Sequence, residues 1–180
     1  MIFTPTLFDG LIIIQPTVYG DSRGYFFESF NAEIFKNNGL DLNFVQDNQS
    51  FSHKDALRGL HFQAPPYAQG KLVRVVRGAV LDVVVDLRKN SSMFGKSFSI
   101  ELTEQNNTML WIPIGFAHGF ATLENDTLFS YKCTQVYNKN SERGILWSDE
   151  SLGINWGIEN PILSDKDKIN PTLENFDSPF

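Results

Sequence analysis

One histidine and several cations stand within segments whose other residues are typical of buried strands. Residues 57–63 read Leu-Arg-Gly-Leu-His-Phe-Gln, and residues 70–78 read Gly-Lys-Leu-Val-Arg-Val-Val-Arg-Gly. Any one Lys or Arg in such a strand is most simply a solvated side chain. The cluster beside His61 is different, because polar groups taken from water cost free energy unless they are paired. We interpret it as a site for an anion, either a phosphate or a developing enolate, and its cations are Arg58, Lys71, Arg74 and Arg77, with Arg23 upstream.

These residue types suit the removal of a proton from a carbon next to a carbonyl group. Imidazole is the natural base for that step, and Lys71 or Arg58 could stabilise the resulting enolate oxygen. Inversion of the carbon also needs an acid on the opposite face, for which a phenol is suitable. Tyr131 and Tyr137 share one face of a predicted strand, although packing in the core would explain a tyrosine equally well. His61 by itself would more simply be a hydrogen-bonded core residue, and it is the surrounding cations that favour catalysis.

The spacing of Arg58 and His61 sets a structural condition on this site. Two residues that are three apart in a regular strand point to opposite faces of the sheet. Both side chains reach one pocket only if the strand begins late or contains a bulge, and Gly59 is where a bulge would be tolerated. A regular strand would exclude Arg58 from the site.

Composition and charge limit the classes of function. The chain has 180 residues, 42% hydrophobic and 20% charged, which predicts one globular domain spanning residues 1–180. A net charge of −6 and a pI near 5.0 argue against nucleic acid or an anionic membrane as a partner. No apolar run is long enough to span a bilayer, and the N-terminus lacks a signal-peptide pattern. The single cysteine, Cys133, excludes an internal disulfide and a thiolate metal cluster, so a cytoplasmic location is expected.

The residue pattern predicts an all-β protein with few helices. Many short apolar or alternating segments, separated by turn residues, are typical of a sandwich or barrel. One helix is expected at 32–38, with Asn31 as its N-cap and Gly39 at its end. Gly78 would fit a hairpin turn between its flanking strands, and Ser164 would cap a helical turn near the C-terminus. The predicted strands are 11–14, 25–30, 44–50, 71–77, 81–87, 96–102, 109–112, 117–123 and 127–137.

Two motifs narrow the architecture to a jelly roll. Residues 113–118 read Pro-Ile-Gly-Phe-Ala-His, which resembles the second metal-site motif of the cupins. The first cupin motif supplies two histidines as His-x-His and then a carboxylate, whereas this chain has His61-Phe62-Gln63 and then Lys71. Two imidazoles and an ammonium group make a poor site for a divalent metal ion. We therefore expect a cupin-like jelly-roll β-sandwich or barrel, with short helices mainly in its N- and C-terminal parts, and neither a metal nor another cofactor.

Further blocks, together with their order, give the chain a specific resemblance to one family. The blocks are 20–29, 44–48, 58–63, 115–120, Glu142, 145–147, 153–156 and 163–167. They span nearly the whole chain, which resembles the 3,5-epimerases acting on nucleotide-linked 4-keto-6-deoxy sugars. That resemblance implies cofactor-free epimerisation of a dTDP-4-keto-6-deoxyhexose. The protons at C3 and C5 would be exchanged through an enolate of the C4 ketone, giving dTDP-4-keto-L-rhamnose, a precursor of surface polysaccharide.

The resemblance also implies the catalytic roles. His61 would be the general base, and Asp167 would orient it and stabilise its imidazolium form. Tyr131 would be the acid on the other face of the sugar ring. Lys71, with Arg58, would stabilise the enolate oxygen at C4.

The same resemblance implies the contacts to substrate and a homodimer. Tyr137 and Phe26, or Phe27 in place of Phe26, would stack on the thymine. The N-terminal strand would cross to the neighbouring subunit, so that Arg23 and Glu28 serve the partner's site, and an apolar edge at 11–14 invites such pairing. The implied contacts to base, diphosphate and sugar are Arg23, Glu28, Gln46, Asp47, Asn48, Arg58, Lys71, His118, Glu142 and Lys166.

Three alternatives remain open at this point. A related enzyme could invert C3 or C5 alone, and only the stereochemistry of the product would separate the two. A non-catalytic cupin could bind a sugar nucleotide, but binding alone does not require His61, Tyr131 and Asp167 together. A metal-using isomerase or oxygenase would show bound metal and loss of activity with a chelator.

Overall fold

The protein consists of thirteen β-strands, one short α-helix and one 3₁₀ turn, and the computed structural model describes all 180 residues. The helix α1 is Ala32–Asn37, and the 3₁₀ turn is Glu150–Leu152. The strands are β1 (Ile2–Pro5), β2 (Ile12–Gln15), β3 (Tyr19–Asp21), β4 (Gly24–Phe26), β5 (Gln46–Ser52), β6 (Leu57–Gln63), β7 (Lys71–Arg77), β8 (Ala79–Asp86), β9 (Ser97–Thr103), β10 (Met109–Ile112), β11 (Phe116–Thr122), β12 (Thr127–Cys133) and β13 (Glu142–Gly144). The predicted all-β class with few short helices is confirmed.

Eleven of the strands form two antiparallel sheets that pack face to face. One sheet has six strands in the order β1-β2-β10-β7-β12-β5, and the other has five in the order β13-β6-β11-β8-β9. Strands that follow each other in the chain often lie in different sheets, as in a jelly roll. β3 and β4 pair only with each other and form a separate hairpin, called the arm here (Tyr19–Phe26).

Three apolar clusters hold these layers together. The first lies between the sheets and includes Val73, Val84 and Phe129. The second packs the outer face of the five-stranded sheet against the C-terminal part of the chain. The third packs α1 against the outer face of the six-stranded sheet. Because the C-terminal part covers a sheet rather than extending into solvent, its polar residues can reach the end of the sandwich.

β8 is buried on both faces because it lies between these clusters. Val84 faces the other sheet, while Val83 and Val85 face the C-terminal part. The predicted alternation that places Leu81, Val83, Val85 and Leu87 on one side of the strand is confirmed. No helix in the structure is both long and apolar enough to cross a membrane.

The predicted helix and its cap are confirmed. The Asn31 side chain accepts hydrogen bonds from the backbone N–H groups of Glu33 and Ile34, at 3.1 and 3.2 Å. These bonds satisfy two of the N–H groups that lack a partner within the first turn. Gly39 follows the helix with φ +84°, a left-handed conformation that glycine adopts without strain.

Two predicted strands extend too far. The strand predicted at 25–30 ends at Phe26, because the following residues leave the hairpin and Phe30 packs edge-on against Phe35 and Phe44. The strand predicted at 127–137 ends at Cys133, and Tyr137 lies in the loop that follows it. Both predicted strands extend to a later aromatic residue, Phe30 or Tyr137, and an aromatic residue alone does not mark where strand pairing stops.

One predicted connection is wrong for a topological reason, and the segment at 11–14, expected as a buried or an edge strand, is not an edge. β7 and β8 lie in different sheets, so Gly78 forms a corner between sheets rather than a hairpin. Its φ is +80°, and a Cβ there would approach the Thr127 hydroxyl to 2.5 Å. The segment at 11–14 supplies β2, which is flanked by β1 and β10. The two edge strands of this sheet are β1 and β5.

Candidate active site

A cavity of about 500 Å³ opens between the two sheets beside the apolar core. β6, β11 and β13 line it from the five-stranded sheet, and β7 and β12 line it from the six-stranded sheet. Residues 162–167, called the C-terminal segment here, close one side. Nine residues predicted from the sequence meet in this cavity: Arg58, His61, Lys71, His118, Tyr131, Tyr137, Glu142, Lys166 and Asp167.

β6 contains a bulge at Gly59, as the spacing of Arg58 and His61 requires. His61 lies opposite His118 and Arg58 opposite Phe120, so three steps along β6 match two along β11. Gly59 has φ +132°, and a Cβ on it would come within 2.5 Å of the backbone of β11. Only glycine fits this conformation and this close approach. The predicted bulge is confirmed, and it brings Arg58 and His61 to the same cavity.

His61 is hydrogen-bonded to a carboxylate that comes from a distant part of the chain. Its Nε2 lies 2.5 Å from Oδ1 of Asp167, and the other carboxylate oxygen accepts a hydrogen bond from the Ser164 hydroxyl at 2.7 Å. Burial alone would raise the pKa of Asp167, but the hydrogen bonds from His61 and Ser164 outweigh it and lower that pKa. Asp167 is therefore held as a carboxylate, and Nδ1 of His61 is left without a partner in the protein.

Backbone pairing fixes the C-terminal segment over the start of β6. Ile162 forms a parallel bridge with Ala56, and its carbonyl accepts a hydrogen bond from the N–H of Leu57 at 3.0 Å. Its own N–H donates to the carbonyl of Asp55 at 2.8 Å. These bonds place the next five residues at the cavity, which is how the local sequence delivers Asp167 to His61.

A second histidine–carboxylate pair lies deeper in the same cavity wall. His118 Nε2 is 2.9 Å from Oδ2 of Asp82, and both side chains are buried. Burial lowers the pKa of His118, although the charge of Asp82 opposes this. Oδ1 of Asp82 has no hydrogen-bond partner. Sequence reasoning missed Asp82, yet its place between Leu81 and Val83 in an alternating strand would have put it on the inner face.

The six-stranded sheet supplies an ammonium group and a phenol opposite the two histidines. Lys71 and Tyr131 lie on neighbouring strands, with Nζ of Lys71 5.9 Å from the centre of the Tyr131 ring. Burial lowers the pKa of Lys71, and the charges of Cys133, Asp82 and Glu142 oppose it. Burial also raises the pKa of Tyr131, so its hydroxyl keeps its proton at neutral pH.

A chain of three polar residues stands at the cavity mouth. The Tyr137 hydroxyl donates to Oε2 of Glu142 at 3.1 Å, and Nζ of Lys166 donates to Oε1 at 2.5 Å. Burial would raise the pKa of Glu142, but the hydrogen bond and charge of Lys166 lower it. The ring of Tyr137 is about half exposed, so its face remains free for a flat ligand.

Six of the predicted contacts do not line the cavity of this chain. Arg23 and Phe26 lie on the exposed arm, and Glu28 follows it, with its carboxylate accepting from the Asn31 amide. Asp47 forms an ion pair with Lys132 on the outer face of the six-stranded sheet.

Gln46 and Asn48 face the interior of the sandwich but bond to other protein groups. Gln46 donates to Asn48 and accepts from the backbone N–H of Tyr137, while Asn48 donates to Sγ of Cys133. The predicted shared face of Gln46, Asn48 and Ser50 is confirmed by their alternating burial.

Several lining residues were not predicted as site residues. Among these, Gln63 accepts from the backbone N–H of Asn138, next to Tyr137, and Ser164 donates to the carboxylate of Asp167. Ser164 was predicted only as a turn cap, and it does accept weakly from the N–H of Asp167 at 3.4 Å. The polar members are Ser50, Gln63, Gln69 and Ser164.

The positions at which cupins bind metal do not fit a metal ion in this chain. Gln63 and Lys71 stand where further ligands would be expected, and an ammonium group repels a cation. His61 and His118 each direct Nε2 to a carboxylate of the protein. No three His, Cys, Asp or Glu side chains converge as a metal-binding group.

The fold and the cavity together define a cupin-like jelly roll with an acid–base centre. A paired imidazole comes from one sheet, and a protonated phenol with an ammonium group comes from the other. This arrangement suits proton transfer to and from a carbon acid next to a carbonyl group.

Comparison with known proteins gives the family. The family model described as dTDP-4-dehydrorhamnose 3,5-epimerase matches residues 5–175. A protein of that name from Shigella flexneri is 54% identical over 158 residues, which are 87% of each chain. The chain belongs to the dTDP-4-dehydrorhamnose 3,5-epimerase family, and the resemblance seen in the sequence is confirmed.

Two solved structures show the same fold. That of dTDP-6-deoxy-D-glucose-3,5-epimerase from Legionella pneumophila, in complex with dTDP-4-keto-L-rhamnose, has 44% identity and a TM-score of 0.93, covering 97% of this chain and 94% of that chain. That of a 3'-monoepimerase from Streptomyces bikiniensis, in complex with dTDP-quinovose, has 35% identity and a TM-score of 0.90, covering 94% and 87%. The predicted jelly roll is confirmed by both.

Proposed function

We propose that the protein is a cofactor-free dTDP-4-dehydro-6-deoxy-D-glucose 3,5-epimerase. Its product would be dTDP-4-dehydro-L-rhamnose, for dTDP-L-rhamnose and surface-polysaccharide synthesis. The observation that carries the proposal is that His61, paired with Asp167, and Tyr131 line one cavity from opposite sheets. A sugar ring bound between the sheets would meet a base on one face and an acid on the other. The family and the ligand of the Legionella structure support the same substrate class.

The first step would break a C–H bond next to the C4 ketone. His61 takes the proton on Nδ1, and Asp167 stabilises the imidazolium through Nε2. The electron pair moves into an enolate, whose oxygen is stabilised by the ammonium group of Lys71. Tyr131 then donates its hydroxyl proton to the same carbon from the opposite face. The cycle closes when the imidazolium releases its proton to solvent and the phenolate takes one back.

One acid–base pair can serve both centres, since C3 and C5 are both adjacent to the C4 carbonyl. No oxidation state changes, so the reaction needs no nicotinamide. Buried cations stabilise an enolate more strongly than exposed ones, because the surrounding dielectric is low. The partly buried position of Lys71 beside Tyr131 agrees with this role.

The rest of the cavity would bind the dTDP part. Arg58 and Lys166 supply positive charge for the diphosphate, and the half-exposed ring of Tyr137 supplies a stacking face for thymine. His118 and Glu142 would contact the sugar side. We place the reaction in the cytoplasm and take residues 1–180 as one catalytic domain, a location with which a single free cysteine agrees.

A homodimer is part of the proposal, because three of the six expected contacts that lie outside this chain's cavity are on the exposed arm or directly after it. Phe26 is 65% exposed on an arm that pairs with nothing else in the chain. Exposed aromatic residues on such a hairpin suit contact with a second protomer. Arg23, Phe26 and Glu28 of one protomer would then complete the site of its partner. Gln46, Asp47 and Asn48 would contact the nucleotide only after a change in their present hydrogen bonds.

A single-centre epimerase is the second candidate. It is favoured by the similarity to the Streptomyces 3'-monoepimerase, which has the same fold. The same base and acid could exchange only the C3 proton if the sugar were held in one orientation. Product stereochemistry separates the two enzymes.

The test is proton NMR of dTDP-4-keto-6-deoxyglucose in deuterated water with the wild type and with His61→Ala. We expect deuterium at both C3 and C5 with the wild type and at neither with the variant. Label at one centre alone would identify a single-site epimerase. No label with the wild type would overturn the proposal and leave a non-catalytic sugar-nucleotide binder.

A further inference from the structure

The loop that carries Tyr137 has an unusual backbone environment. Residues 134–138, called the Tyr137 loop here, follow β12 but pair with no strand. Every buried backbone N–H and C=O needs a hydrogen-bond partner, and a loop without a ladder must find other partners. In this loop four of the bonds come from three glutamine side chains outside it: Gln46, Gln63 and Gln69.

Each glutamine reaches the loop from a different element. Nε2 of Gln69, in the β6–β7 connection, donates to the carbonyl of Gln135 at 2.7 Å. Oε1 of Gln46, on β5, accepts from the N–H of Tyr137 at 2.8 Å. Gln63, at the end of β6, makes two of the bonds and links the loop to the opposite sheet.

Gln63 is the centre of this arrangement. Its Nε2 donates to the carbonyl of Val136 at 3.1 Å, and its Oε1 accepts from the N–H of Asn138 at 2.6 Å. The two bonds hold the backbone on both sides of Tyr137. The second N–H of the amide donates to the carbonyl of Tyr67 at 2.7 Å, and the side chain is only 5% exposed. Both amide hydrogens are therefore used within the protein.

We infer that Gln63 is a positioning residue for the nucleotide, acting through the backbone of the Tyr137 loop. The inference rests on the proposed function, in which Tyr137 stacks on the base. A recognition loop that is already fixed loses less conformational freedom on binding, so its ligand binds more tightly. Releasing the loop weakens binding but leaves His61, two residues earlier on β6, paired with Asp167.

The central experiment compares wild type with Gln63→Met, which keeps the side-chain volume and removes all three hydrogen bonds. We expect the Kd for dTDP and the KM for the sugar nucleotide to rise about tenfold or more, since buried partners are left unpaired. The kcat at saturating substrate stays within about threefold, because the acid and base are untouched. The matched control is Gln49→Met, at an exposed glutamine of β5 whose side chain makes no hydrogen bond.

A double-mutant cycle separates positioning from a general loss of structure. In a Tyr137→Ala background, Gln63→Met is expected to change the Kd for dTDP by less than about twofold, because coupled residues do not act additively. A full tenfold effect in that background would overturn the inference, as would a fall in kcat with an unchanged Kd. Gln69→Met removes one bond of the same loop and is expected to raise Kd less, which gives a test if Gln63→Met does not fold.

Amide hydrogen exchange of the ligand-free protein tests the inference without using activity. Gln63→Met should remove the protection of the Asn138 amide while leaving amides of β12 protected. If wild type fails to bind dTDP, the proposed function and this inference both fail. If wild type binds dTDP and Gln63→Met behaves like Gln49→Met, only the inference fails.

Discussion

The cavity contains two histidine–aspartate pairs with similar geometry. They differ in where the carboxylate comes from and in the hydrogen bonding of its second oxygen. His61 and His118 lie directly opposite each other on neighbouring strands, and each directs Nε2 to a carboxylate. Asp167 comes from the C-terminal segment, over a hundred residues away in the chain, and Ser164 holds its second oxygen. Asp82 comes from the adjacent strand β8, and its second oxygen is buried without a partner.

The two histidine–aspartate pairs also differ in solvent exposure. The His61 side chain is 25% exposed, while that of His118 is 7% exposed and that of Asp82 is fully buried. A base must take up and release protons, which requires access to substrate and solvent and a partner that stabilises the charged form. The His61 pair meets these conditions. The His118 pair does not, because burial lowers the pKa of His118 and keeps its imidazole neutral.

The comparison suggests that Asp82 serves a neighbour other than its histidine. Its charge opposes the effect of burial on Lys71 and so helps to keep that ammonium group protonated. An under-satisfied buried carboxylate is unfavourable for stability, and such sites persist where they serve function. The three predictions below test this division of roles.

The largest effect is expected for Asp167→Asn. An amide at this position cannot stabilise the imidazolium, so kcat should fall by about 10³- to 10⁴-fold, as in triads whose carboxylate is replaced. The measurement is the steady-state rate together with deuterium incorporation at C3 and C5. Asp165→Asn is the matched control, because Asp165 is on the same turn and its side chain is fully exposed. A larger loss of kcat in Asp82→Asn than in Asp167→Asn would reverse the assigned roles.

Some features of the site could be predicted from neighbouring residues in the sequence. Alternation predicted the inward face of β5 and the outward face of β8, and the spacing of Arg58 and His61 predicted the bulge at Gly59. These features depend on a few neighbouring residues and on strand geometry. The link between Asp167 and His61 depends on tertiary packing, and only the family resemblance suggested it.

Topology and pairing explain what was missed. The hairpin expected at Gly78 required knowledge that β7 and β8 belong to different sheets. The end of β12 at Cys133 depends on glutamine side chains that replace a neighbouring strand. Asp82 stands in a strand dominated by valine, where a single carboxylate gives little signal until its neighbours His118 and Lys71 are placed.

A smaller effect is expected for Asp82→Asn, and it should depend on pH. In the proposed mechanism Lys71 must be protonated to stabilise the enolate, and burial puts its pKa below the usual 10.5. Removing the charge of Asp82 lowers that pKa further, so kcat should begin to fall at a lower pH. The ratio of kcat in Asp82→Asn to kcat in wild type should therefore fall as the pH rises.

The measurement is the pH dependence of kcat for wild type, Asp82→Asn and Lys71→Arg. Arginine stays charged over this range, so any activity retained by Lys71→Arg should show no alkaline decrease below pH 10. Burial raises the pKa of Tyr131 and lowers that of Lys71, so the alkaline decrease should reflect Lys71 rather than Tyr131. An alkaline limb that is identical in wild type and Asp82→Asn would contradict the role given to Asp82.

The smallest effect is expected for Ser164→Ala, which makes the Asp167 pair resemble the Asp82 pair. The pKa of Asp167 lies below its usual 3.8, and the hydrogen bond from Ser164 contributes to this. A carboxyl group whose pKa is lower in the folded state adds stability above about pH 4, and this stability is lost as pH falls through the folded pKa. The variant should therefore lose about 0.5–1.5 kcal/mol of unfolding free energy at pH 6.

That loss should shrink at a second, acidic pH below the folded-state pKa of Asp167, because its carboxyl group is then protonated in both proteins. Urea unfolding at the two pH values measures it, with Ser92→Ala, at an exposed serine without a hydrogen bond, as the control. A loss of the same size at both pH values would mean that Ser164 stabilises the turn through packing rather than through the charge of Asp167. The hydrogen bond that the second oxygen of Asp167 accepts, and that Asp82 lacks, would then make no electrostatic contribution to stability.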